Sequence, residues 1–474
     1  MNASWFADVI ASANETLTDR RLFFRHAAWL MILGAVLRFA YLFRVGLAPH
    51  PSEAYNVAAA FATRGELADA WGPGTGPTAH LSPGMPLLVG DVYRWFGVGT
   101  PAAEFALACI SLAFVYVSIL ALNAAFERLG MAPIARFGAI ALLCLLPLNI
   151  FLEMRKFRQW EGALAAVGIA VCLARCLKMD GDQRRPSWLD LGTLAFGASV
   201  LSLFSEAGAL ACYGIIGWLA LRRRGWLGLI ATAAVSAALI SALSYPWALR
   251  NEAVFGEKVW TRTAFGFNLA VGFHERAISP TDPQKVYFDR MEELSPFFNP
   301  PALAALQNAG GEVAYGRLWT ARTEAWIGEH PLAALKIAAR HIWELYMQPR
   351  WMWWPDQGPV AIRVALLQAF TALGFTGLAT GLARRDWRYI YVAAALVLPI
   401  LPYILGQPLD RYRYPVNALL IFLAADLISR AARFASNRQQ TIRQTGDYPV
   451  AQFVDGLREG TTGRFRSGRK AGGA

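Results

Sequence analysis

The sequence predicts an all-α polytopic membrane protein with roughly ten transmembrane helices (10–13) and a small, mainly helical extracytoplasmic domain. Three observations predict it. Of the 474 residues, 55% are hydrophobic and only 16% charged, whereas an ordinary soluble domain carries about 25% charged residues. The apolar residues fall in separate blocks, each near the ~20 residues that span a hydrocarbon core. The positive charge, net +12, gathers at the ends of those blocks, where membrane topology accounts for it better than nucleic-acid binding does.

In chain order, residues 1–26 form a cytoplasmic or interfacial segment, in which Trp5, Phe6, Val9 and Ile10 recur at helical spacing among polar residues, the pattern of a helix lying flat on a membrane. Arg20, Arg21 and Arg25 then precede a long apolar block without a small-residue cleavage site, so helix 27–47 reads as a retained anchor. Outer loop 48–101 follows. Crossings are expected near 102–125, 133–151, 159–177, 188–203, 206–221 and 226–247, completing an N-terminal module over 27–247. Ser205 and Glu206 interrupt the short pair within 188–221, which admits a hairpin that does not cross fully. Residues 248–358 form the extracytoplasmic loop domain, helical from the spacing of Leu303, Leu306, Trp319, Trp326, Leu335, Ile342 and Leu345. Helices near 359–381, 388–405 and 412–430 make up the C-terminal part, 359–430. Residues 431–474, basic and rich in Gly, Ser, Thr and Gln, read as a disordered cytoplasmic tail drawn to anionic lipid.

Arg128, Lys178, Arg184, Arg185, Arg222 to Arg224, Arg384, Arg385 and Arg388 fall on one side, which the charge bias makes cytoplasmic together with both termini. The five cysteines all lie in apolar blocks and read as small buried hydrophobes.

Chemistry is therefore sought in the outer loops. In PHPSEAYNV, Glu53 stands just past the first helix, two residues before Tyr55. A carboxylate at the mouth of a membrane cavity is a candidate base for an acceptor hydroxyl or amine; Ser52 before it is equally a helix start, where acids are favoured. In FLEMRKFRQWE, Glu153 lies among Arg155, Lys156 and Arg158. So basic an outer loop opposes the charge bias and points either to an anionic ligand or to an ion-pair network around Glu153. Glu161 is a second acid. Arg250, in PWALRN, sits at the depth of a lipid phosphate, as a phosphate-binding fork or as an anchor that snorkels beside Trp247. In QPLDRYRYP, Asp410, Arg411 and Arg413 share one short outer turn that either holds a phosphate or locks itself.

Taken together these segments resemble the GT-C superfamily of membrane glycosyltransferases, closest to the branch of protein O-mannosyltransferases and lipid A aminoarabinose transferases. The carriers are Glu53 with Tyr55, TAHLSPGMPLL at 78–88, PWALRN at 246–251, GFNLAVG at 266–272 and DRYRYP at 410–415. The resemblance implies an enzyme of the bacterial inner membrane, its active site on the extracytoplasmic side. It would pass a sugar from a polyprenyl-phosphate donor to a lipid, glycan or protein acceptor. It implies the Glu53 carboxylate at the active site, with Glu153 a second catalytic candidate from its own loop, and Arg250 with Arg411 or Arg413 on the donor phosphate. His80 stands where that branch often has a lysine, and Tyr55 and Asn268 fall to sugar or acceptor binding. Glu53 replaces the family's usual Asp, one methylene longer. No nucleic acid is expected. An obligatory metal is not implied, since the outer loops lack a tight Asp and Glu cluster, although a divalent ion is not excluded. The rival reading is a transporter or flippase of lipid-linked sugars; the absence of an internal repeat and the scarcity of ionisable residues mid-span weigh against it.

Overall fold

A computed structural model describes residues 14–146, 148–353 and 359–445. The flat helix read from Trp5, Phe6, Val9 and Ile10, and the tail beyond residue 445, lie outside them. The described residues are all-helical, with no strand and 77% helix. The N-terminal part comprises α1 (Arg20–Val45), α2 (Glu53–Arg64), α3 (Gly84–Phe96), α4 (Pro101–Arg128), α5 (Pro133–Leu145), α6 (Ile150–Met154), α7 (Gly162–Gly181), α8 (Trp188–Ser202) and α9 (Glu206–Phe255). The middle of the chain forms α10 (Phe265–Gly272), α11 (Pro283–Leu294), α12 (Pro300–Asn308), α13 (Glu312–Glu329) and α14 (Pro331–Tyr346). The chain continues through α15 (Val360–Ala383), α16 (Tyr389–Val397), α17 (Leu401–Ile404) and α18 (Asp410–Thr445).

Five of these, α1, α4, α7, α9 and α15, are long and apolar enough to cross a membrane, and a sixth span arises if the bent pair of α5 with residues 150–158 counts as one. That makes the chain an integral membrane protein. Helix occupies every segment in which a crossing was expected, but not always as a single straight rod. Block 133–151 is broken into α5 and a second piece bent from it by 64°. The expected crossings 206–221 and 226–247 are the two arms of α9, which break at Gly225. Its φ of 73° lies in the left-handed region that glycine enters without steric cost. DRYRYP, read as a turn, instead opens α18 with Pro415 inside the helix, and α18 runs on past residue 430 to Thr445.

The largest core cluster lies among α4, α5, α7, α9, α15, α16 and α18. Six consecutive residues of α18, Leu419 to Ala424, are all buried, as a helix surrounded on every side requires. Phe422 stacks on Phe126 of α4 with ring centroids 5.0 Å apart. This packing fixes the start of α18, and so Arg411, relative to the N-terminal helices.

Candidate functional site

Helix α2 begins where the loop after α1 provides a cap. Ser52 Oγ accepts from the Tyr55 N–H at 3.1 Å and donates to Gln159 Oε1 at 2.9 Å. The helix-start reading of Ser52 therefore holds, and it is what places Glu53 in the first turn, on the wall of a cavity of about 830 Å³. Four cations line this cavity: Arg155 and Lys156 after α6, Arg262 before α10, and Arg411 at the start of α18. The carboxylates are Glu53, Glu161, Glu292 and Asp410. His50, His80, Trp160, Phe267, Asn268, Tyr287 and Trp351 supply neutral and aromatic surface.

The cations are held in distinct ways. The Arg411 guanidinium carbon lies 3.9 Å from the centroid of the Trp160 ring, and Nη2 donates to the Tyr412 hydroxyl at 3.0 Å. Stacking of this kind fixes the plane of the fork while leaving charge to spare. Lys156 Nζ donates to His50 Nε2 at 2.5 Å. Burial, then Lys156 and the arginines 155, 158 and 411, push His50 down to about 4, so the imidazole is neutral and able to accept. His80 is buried, its ring 4.3 Å from that of Trp71. Burial, then Arg262 and Arg411, push it down to about 3. It therefore offers an N–H but no charge, and does not replace a lysine electrostatically.

Asn268 reaches the cavity because of the glycines around it. A Cβ at Gly266 would overlap the carbonyl oxygen of Gly316 in α13, and one at Gly272 would overlap that of Gly406. GFNLAVG is thus a short helix pressed backbone to backbone at both ends. A Gly272→Val chain is expected to lose about 1–3 kcal/mol of stability through this overpacking, read as a lower melting temperature in detergent; an unchanged one would show that α10 is not seated as described.

The structure brings together Glu53, His80, Asn268 and Arg411. It does not bring Glu153, Arg250, Arg413 or Tyr55 to the cavity. Glu153 is buried in the ion-pair alternative: Oε2 accepts from Arg38 Nε at 2.7 Å and Oε1 from the Tyr414 hydroxyl at 3.0 Å. Arg38 also donates to the carbonyls of Leu143 and Cys144. The break after α5 frees those carbonyls from helical bonding, and the guanidinium of α1 satisfies them. Glu153→Ala would leave Arg38 buried without a counter-charge, and a loss of about 3–5 kcal/mol is expected, measured as thermal unfolding in detergent; a melting temperature within a degree of wild type would refute this structural role. Arg250 donates to the carbonyls of Thr78 (2.9 Å) and Leu67 (2.6 Å), tying α9 to the loop between α2 and α3. Arg413 is buried against Gln348, Thr371 and the Leu367 carbonyl. The Tyr55 ring packs edge-on against Tyr93.

Arg262 escaped the sequence reading; the signal was a base in the otherwise aromatic stretch leading into GFNLAVG. Lys156 and Arg155 were visible only as a basic outer loop. Among the described residues no group of three His, Cys, Asp or Glu side chains is placed to hold a metal ion.

No family model and no curated protein matches the sequence. Among solved structures the chain is similar to the oligosaccharyltransferase of Archaeoglobus fulgidus in its apo form, at 13% identity and a TM-score of 0.49 over 90% of this chain and 52% of that one. It is similar to AglB of the same organism in complex with an inhibitory peptide and a dolichol-phosphate, at 13% identity and 0.46 over 89% and 52%. It is also similar to apo ArnT from Cupriavidus metallidurans, at 15% identity and 0.35 over 86% and 78%. These neighbours are GT-C superfamily glycosyltransferases, and the chain spans about half the length of the archaeal enzyme it matches.

Proposed function

We propose that the chain is a membrane glycosyltransferase of the GT-C type. It takes a sugar from a polyprenyl-phosphate donor and passes it to a lipid, glycan or protein acceptor on the extracytoplasmic face of the bacterial inner membrane. The observation that carries this reading is one cavity in which a helix-start carboxylate, Glu53, faces the fixed cations Arg411 and Lys156. Sugar transfer requires that pair of resources. The acceptor oxygen or nitrogen attacks the anomeric carbon and gives its proton to Glu53. The bond from that carbon to the phosphate oxygen breaks, its electrons go to the phosphate, and Arg411, Lys156 and Arg155 stabilise the charge that develops. Asn268 offers an amide to sugar hydroxyls. Arg250 and Arg413, away from the cavity, hold the scaffold in this reading.

The test is transfer of radiolabelled sugar from a panel of polyprenyl-phosphate sugars to cell-envelope lipid and glycan by the purified protein. Incorporation above that of heat-inactivated protein is expected. No transfer from any donor, together with movement of the lipid-linked sugar between leaflets, would replace the enzyme with a flippase.

A further inference from the structure

Of the four cavity cations, Arg262 is the one paired with a carboxylate among the described residues, and the partner comes from an unexpected place. Helices α8 and α9 are separated only by Leu203, Phe204 and Ser205. Ser205 Oγ caps α9 by accepting from the Gly208 N–H at 3.2 Å, which makes Glu206 the first residue of that helix, where a negative charge is favoured. Glu206 Oε1 accepts from Ser82 Oγ at 2.6 Å and lies 3.6 Å from Arg262 Nε. Backbone bonds hold the same three stretches together: Gly84 N–H donates to the Leu203 carbonyl at 2.8 Å, and Thr263 N–H to the Ala79 carbonyl at 2.9 Å. The pair engages only the Nε edge. Arg262 Nη1 and Nη2 form no hydrogen bond among the described residues, and Arg262 lines the cavity although Glu206 does not.

We infer that Glu206 is a positioning residue for phosphate recognition: through Arg262 Nε and the Ser82 hydroxyl it fixes a guanidinium on the cavity wall, so that both Nη donors meet the donor's phosphate oxygens. An arginine loses much rotamer freedom on binding, and one already held loses less at that step. A guanidinium with its Nη groups open presents the paired donors that phosphate accepts. The interruption at Ser205 and Glu206, which in the sequence admits a hairpin that does not cross fully, thereby gains a use. This inference rests on the donor-phosphate reading of the cavity.

The experiment measures binding of radiolabelled polyprenyl phosphate to the full-length protein in nanodiscs, with sugar transfer followed in parallel. Glu206→Gln is expected to weaken binding about 10-fold and Arg262→Ala about 10–100-fold, with the double variant no weaker than Arg262→Ala alone. Glu206→Asp, which keeps the charge, should recover part of the loss. Ser82→Ala removes the other partner of Glu206 and is expected to weaken binding about threefold, again only where Arg262 is present; it serves as the test should Glu206→Gln not fold. Unchanged affinity in Glu206→Gln, or a loss that adds in full to that of Arg262→Ala, overturns the inference. The two readings fail separately. Polyprenyl phosphate that binds in this pattern without any sugar transfer sinks the glycosyltransferase and leaves Glu206 its role, whereas transfer with affinity indifferent to Glu206 does the reverse.

Discussion

Glu53→Gln is expected to lower kcat for sugar transfer by about 10²–10⁴-fold, the usual contribution of a positioned general base, with little change in KM or in melting temperature. The substitution is isosteric. It sits in the first turn of α2, whose cap is supplied by Ser52 and not by Glu53 itself. What the fold loses is a charge at a helix N-terminus, about 0.3–1 kcal/mol. The pH profile gives the signature of a base. Burial pushes the Glu53 carboxyl above its ordinary value, and its own backbone N–H, Arg411 and Lys156 pull it partly back. A base acts only when ionised, so activity is expected to fall as pH drops through that raised value, at a higher pH than an exposed carboxylate would give. The residual activity of Glu53→Gln should lack this acid limb. Wild-type kcat in Glu53→Gln would move the role to Glu161 or Asp410, which share the cavity.

Arg411→Lys is the second large effect, an expected fall of about 10²–10³-fold in kcat, comparable to the loss of a transition-state donor elsewhere. The charge is kept, so a lysine at this point separates geometry from charge. The Arg411 guanidinium sits over the Trp160 ring, 3.9 Å from its centroid, and uses one arm of its fork on Tyr412. An ammonium has neither the plane for the stack nor the fork for two phosphate oxygens. Steady-state kinetics together with polyprenyl-phosphate affinity check this. Near wild-type turnover in Arg411→Lys would mean that bulk positive charge from Lys156 and Arg155 suffices.

How much of this was legible beforehand depends on the range of the interaction concerned. Apolar blocks and helix starts are local, and Ser52 caps α2 as its sequence neighbourhood indicates. Arg411 and Arg413 looked equivalent because they were placed in a turn. In a helix they stand two residues apart, about 200° around the axis, so when one lines the cavity the other faces Gln348 and Thr371 in the core. Glu153, turned to Arg38, is parted from Lys156, turned to His50, because α6 ends at Met154 and the backbone leaves helical geometry at Arg155. Arg262 and its partner Glu206 lie in different stretches of the chain, and no periodicity or motif reports a contact of that kind. The seating of Asn268 is intermediate: GFNLAVG was noticed, but its glycines have meaning only once Gly316 and Gly406 are in place.

The ion pair between Arg38 and Glu153 also bears on how the protein is made. The partners are 115 residues apart in sequence. At ribosomal rates of about 5–20 residues per second, roughly 6–23 s separate their synthesis. During that interval Arg38, about two turns from the C-terminal end of α1, has no carboxylate and no freed carbonyls to meet it. An unpartnered guanidinium inside a bilayer is costly, so α1 is expected to stay beside the insertion machinery, or at a depth where the arginine reaches water, until α6 emerges. Glu153 supplies the counter-charge that the first helix lacks until then, and a chain without it is expected to accumulate in the membrane at a lower level than wild type, read by immunoblot of membrane fractions.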